Sequence, residues 1–115
     1  MAEKDLTAEE WVENYMKIQE EDIEFLTQPH IKEMIFKDPN DFLNELKRRT
    51  RRRNEALKIY KRLNLHDLPD DKKKIILKKL DLIIARETVL NEFVKKILEL
   101  YKILIKEAES DISNV

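Results

Sequence analysis

Residues 70–110 read DDKKKIILKKLDLIIARETVLNEFVKKILELYKILIKEAES, without a proline or a glycine. Apolar residues recur along this stretch at alternating steps of three and four: Ile76, Leu80, Ile83, then Leu90, Val94, Ile97, Tyr101, Leu104 and Ala108, with Glu87 in the slot between Ile83 and Leu90. Such spacing is the seam of one long helix packed against other helices. At ~1.5 Å per residue the helix spans about 60 Å, and everything else must fold back along this rod. The expectation is an all-α chain: an antiparallel helical hairpin or bundle of three to four helices with one long C-terminal helix, from Asp70 to about Ser110.

Working outward, the 115 residues suit a single helical-bundle domain covering 1–115, with one modest core. Basic residues number 23 against 24 acidic, so the formal net charge of −1 supplies no global pull toward nucleic acid or membrane, and the distribution of charge carries the information. The absence of cysteine excludes disulfides, thiol catalysis and cysteine-ligated metals. The opening Met-Ala-Glu-Lys-Asp has no apolar stretch behind it, so no secretory leader is expected. No apolar run approaches the roughly 20 residues of a membrane span.

Upstream of the rod, Thr7 and Glu10 form a capping box that starts a helix near Ala8. Its apolar side is Trp11, Val12, Tyr15, Met16, Ile18, Ile23, Phe25 and Leu26; residues 3–24 hold nine acidic residues and two lysines, which makes its outer face negative. Pro29 disfavours helical geometry at Gln28 and is expected to break or kink the helix there. A short helix with Ile31, Met34, Ile35 and Phe36 follows. Asp38-Pro39 then reads as an N-cap and first helical residue, opening a helix that runs to about Leu63. In the turn 64–69, Leu65 and Leu68 are expected to tuck into the bundle end, and Asp67 is expected to cap the rod.

The middle of that helix is Lys47-Arg48-Arg49-Thr50-Arg51-Arg52-Arg53, six basic residues in seven. Two readings compete. Clustered arginines bind phosphate by charge and bidentate geometry, which would make Arg48, Arg49, Arg51, Arg52 and Arg53 a contact for nucleic acid or an acidic partner. Alternatively, the helix folds back so that its middle lies opposite Asp81 to Glu87, and the arginines are consumed internally, as Arg49–Glu87 or Arg53–Asp81 pairs, with Glu20, Glu21, Asp22 and Glu24 taking others. The lack of aromatics within the run weighs against single-strand binding. His30 and His66 stand at helix ends, without the spacing of a metal site. No cofactor and no metal are expected. A cofactor-free helical enzyme of chorismate-mutase type, with Arg49, Arg53 and Glu87 inside the bundle, is the remaining catalytic reading.

The rod also carries more apolar surface than its neighbours can cover. Val89, Leu90, Phe93, Val94, Ile97, Leu98, Leu100, Tyr101, Ile103, Leu104 and Ile105 occupy more than one face, and a preceding helix of roughly 36 Å stops short of the far end.

The run Asp41-Phe42-Leu43-Asn44-Glu45-Leu46, part of Arg52-Arg53-Asn54-Glu55-Ala56-Leu57, then Leu65-His66-Asp67-Leu68-Pro69 and the heptads after it resemble the flagellar type III export chaperones of the filament-cap and hook–filament-junction type, over roughly residues 40–105. The resemblance implies a cytoplasmic, non-enzymatic chaperone that holds an amphipathic helical segment of an export substrate. The leading expectation is accordingly a helical protein-binding module. Phe93, Ile97, Leu98, Tyr101, Leu104 and Ile105 would form the contact surface, and the partner would be an export-substrate helix or a second copy of the chain. No small-molecule substrate and no membrane are expected. The alternative is a basic helical module that binds nucleic acid through Lys47 to Arg53.

Overall fold

The computed structural model describes residues 7–63, 65 and 68–113, with side chains as far as residue 106. Its elements are α1 (Ala8–Leu26), α2 (Ile31–Lys37), α3 (Pro39–Tyr60) and α4 (Asp70–Ser113), and the described residues contain no strand. The chain is thus an all-helical bundle ending in one long helix. At ~1.5 Å per residue the 44 residues of α4 run about 66 Å, nearly the whole 68 Å length of the molecule. None of these helices is long and apolar enough to cross a membrane.

Local chemistry sets the boundaries. The Thr7 hydroxyl accepts the Glu10 amide at 3.1 Å while the Glu10 carboxylate accepts the Thr7 amide at 3.5 Å, the reciprocal bonds of a capping box. α1 ends two residues before the Gln28 that Pro29 restricts, and the Thr27 hydroxyl bonds back to the Ile23 carbonyl at 2.7 Å. The Asp38 carboxylate accepts the Asp41 amide at 3.0 Å, with Pro39 as the first helical residue of α3. α3 stops three residues before the expected Leu63, because the Arg62 and Leu63 amides reach carbonyls only three residues back, at 2.9 and 3.0 Å, tightening the chain into a turn. α4 passes unbroken through Ala85–Thr88 and continues to Ser113. The expected cap at Asp67 lies outside the described residues, as does His66. His30 is exposed near Glu33 and makes no capping bond through its side chain.

Packing departs from a simple α3–α4 hairpin. α1 runs parallel to α4, α3 runs antiparallel to both, and α1 is the closest neighbour of each. The reason lies in the side chains. α1 presents Trp11, Val12, Tyr15, Phe25 and Leu26, all buried, whereas the middle of α3 offers arginines that cannot be laid bare against an apolar seam. Two apolar clusters result. Ala8, Trp11, Val12 and Tyr15 meet Ile76 and Ile83, with Ala56, Leu57, Tyr60, Leu65 and Leu68 closing over them, so the turn leucines do tuck into the bundle end. Phe25 and Leu26 meet Ile35, Phe42, Leu46, Leu90 and Ile97 at the other end. Stacked rings reinforce both: Trp11 on Tyr15 with centroids 4.9 Å apart, and Phe25 on Phe42 at 5.8 Å.

Candidate functional site

Between the two apolar clusters lies a charged layer. Asp22 and Gln19 are wholly buried and Arg53 nearly so. The Asp22 carboxylate receives Arg53 on Oδ2, and Arg49 and Arg52 on Oδ1 at 2.9 and 3.0 Å. The same Arg53 approaches Glu87 at 3.3 Å through Nε. Glu87, about one-fifth exposed at 18%, also accepts the Tyr15 hydroxyl at 2.6 Å and the Gln19 amide at 3.3 Å. Gln19 donates in addition to the Ile83 carbonyl at 2.9 Å. Burial, and then the hydrogen bond to Glu87, push the Tyr15 hydroxyl well above its ordinary range and keep it a donor. The Arg49 guanidinium also lies over the Phe25 ring, 4.3 Å from its centroid.

Glu87 therefore occupies its seam slot as an ion-pair partner of α3, as its position in the heptads suggests, but the individual pairs differ from expectation. Arg49 reaches Asp22 and Glu45, not Glu87, since α1 lies nearer to α3 than α4 does. Arg53 takes Glu87, not Asp81, which is exposed because six residues of helix turn it about 120° away from Glu87. Asp22 is the hub that the charge pattern alone hides among the acidic residues of α1. Its signal is positional: it falls seven residues after Tyr15 and four before Leu26, on the apolar side of its helix.

The basic run consequently divides by helix face. Arg49, Arg52 and Arg53 turn toward α1 and are held by Asp22, with Glu21 3.3 Å from Arg52. Arg48 forks onto Glu45 through Nε at 3.0 Å and Nη2, and that bond draws the Glu45 carboxyl below its usual range. Arg48, Arg49 and Arg52 border an open depression of about 510 Å³ between α1 and α3, where Glu21 and Glu24 stand beside them. Lys47 and Arg51 point the other way, exposed, and take part in none of these pairs.

On that other side α3 and α4 leave a groove of about 420 Å³. Leu43, Leu46, Val94 and Leu98 form its floor, Thr50 and Asn54 its α3 wall, and Lys47 and Arg51 its rim. The expected contact residues of α4 do not share one surface. Ile97 is buried in the core, and Leu98, Tyr101 and Leu104 pack against the same cluster. Of these Leu98 also lines the groove; Ile105 is half-buried one heptad further on, and Phe93 lies at the exposed outer edge. Ile97 is buried in a cluster that takes in Ile35 of α2 together with Phe42 and Leu46 of α3, with Ile31 and Met34 packed against it. Leu43, Thr50, Asn54 and Val94 are groove residues that periodicity assigns only to core or surface. A second apolar strip, Ile75, Leu82 and Val89 at seven-residue intervals, stays exposed along α4.

For the catalytic reading, Arg53 and Glu87 are indeed adjacent, but their polar atoms face Asp22, Tyr15 and Gln19 of the same chain. Compared with known proteins, the chain matches no family model, no curated protein and no solved structure.

Proposed function

We propose that this chain is a non-enzymatic helical protein-binding module that holds an amphipathic helix of a partner protein in the groove between α3 and α4. The observation that carries the reading is the groove itself: an apolar floor of Leu43, Leu46, Val94 and Leu98, open to solvent along two long helices. A helix is the fitting occupant, because the helices lining the groove have satisfied their own backbone groups and offer apolar contact without a strand edge. The cytoplasmic export chaperone implied by the resemblance over residues 40–105 is the specific form of this reading. The nucleic-acid alternative is less well supported, because Arg48, Arg49, Arg52 and Arg53 already hold carboxylates that phosphate would have to displace.

The test is a titration of the isotope-labelled protein with a helical peptide of about 18 residues, roughly 27 Å long, carrying leucine along one seam and glutamine elsewhere. Amide shifts concentrated at residues 43–54 and 91–98, and lost in a Leu98→Glu variant of unchanged helicity, are the expected result. Shifts confined to Ile75, Leu82 and Val89, or no shifts, would defeat the reading.

A further inference from the structure

The groove is charged along its rim, and the charge is of one sign. Lys47 and Arg51, four residues apart on α3, border it from one side, exposed and outside the ion pairs that hold the four other arginines of the run. On α4, Lys95 and Lys102 stand three residues before and four after Leu98, hence on the same face, and both are exposed. Lys58, seven residues after Arg51, continues the α3 edge. No carboxylate lines this groove, whereas the depression on the opposite side of α3 contains Glu21 and Glu24 among its arginines. The basic run is thus built with two faces. The inner face is neutralised by Asp22, Glu45 and Glu87, and the outer face is left positive beside apolar floor residues.

Resting on the reading of the groove as a helix-binding site, we propose that its occupant is an acidic amphipathic helix of another protein. Leucine-like residues of the partner would face Leu43, Leu46, Val94 and Leu98, and glutamate or aspartate along both flanks would meet Lys47 and Arg51 on one side and Lys95 and Lys102 on the other. The apolar floor separates this from a phosphate site, which would need donors at its base. The flanking charges set partner choice and encounter rate, while the floor supplies the burial.

The experiment extends the peptide titration to three versions with the same leucine seam and glutamine, glutamate or lysine flanks, at low and at raised salt. The glutamate version should bind the groove about tenfold more tightly than the glutamine version in low salt, from several exposed ion pairs, with the gap closing as salt rises. The Lys47→Glu/Arg51→Glu variant should remove the preference, since two acidic residues then stand across the groove from Lys95 and Lys102. Arg48→Gln, on the neutralised face, should leave it unchanged. Equal binding of all three peptides in the groove overturns the acidic partner but leaves the helix-binding reading standing, and absence of groove shifts with every peptide overturns both. Preference for glutamate that survives the double reversal undiminished overturns the assignment of Lys47 and Arg51. Displacement of the bound peptide by oligouridylate would make nucleic acid the occupant, and a concentration-dependent dimer abolished by Leu98→Glu would make it a second copy; either result overturns the proposal.

Discussion

Replacing Asp22 with alanine tests the layer that divides the core. Asp22 is fully buried and holds three guanidinium groups, of which Arg53 is itself only 2% exposed. Without the carboxylate, Arg53 keeps only Glu87, while Arg49 and Arg52 fall back on the more exposed Glu45 and Glu21. Breaking a buried pair by removing one partner costs about 3–5 kcal/mol, because an uncompensated charge stays in the interior. A domain of this size loses about 4 °C of melting temperature per kcal/mol, so Asp22→Ala should melt about 12–20 °C lower. That is a large part of a stability expected at about 5–15 kcal/mol. Thermal unfolding followed by circular dichroism, backed by urea midpoints, measures it. A paired change of Asp22 and Arg53 to leucine and methionine should recover only part of the loss, since an apolar pair removes both desolvation costs but leaves Glu87 without its cation and Arg49 and Arg52 without Asp22. A melting temperature for Asp22→Ala within about 3 °C of the parent would refute the reasoning, because only a hydrated, surface-like pair is worth less than ~1 kcal/mol.

Tyr15→Phe removes one donor from Glu87 and should cost about 1–3 kcal/mol in urea unfolding. Because folding raises the Tyr15 hydroxyl above its unfolded value, its contribution is complete below about pH 10 and declines as pH rises beyond it, so the variant should also flatten the alkaline limb of stability. Glu45→Gln acts at the opposite end. The Arg48 bond lowers the Glu45 carboxyl, so its contribution is present above the ordinary carboxylate range and lost as pH falls through the lowered value; urea midpoints between about pH 7 and 3 should show a shallower acid limb. Tyr101→Glu should lower the melting temperature of the isolated chain, since Tyr101 is partly buried and packs against the apolar cluster that contains Ile97; an unchanged melt would return it to the candidate binding surface.

Much of the architecture is legible in the chain before folding. Helix starts at Thr7 and Asp38, the break at Pro29 and the uninterrupted rod from Asp70 all follow from short-range chemistry, where the cap, the proline and the three-four period act within a few residues of themselves. Glu87 is legible as an interior polar residue for the same reason, since it takes a slot in a seam that is otherwise apolar. What tertiary structure alone decides is which groups meet. That Asp22, and not Glu87 or Asp81, gathers the arginines depends on α1 lying closer to α3 than α4 does, a matter of competing side-chain volumes across three helices. The burial of Ile97 depends on residues of α1, α2 and α3 meeting α4 in one cluster. The division of one basic run into a neutralised inner face and a charged outer rim is likewise invisible in composition. Adjacent residues on a helix point about 100° apart, and only the position of the neighbouring helices determines which of those directions is interior and which is left to solvent.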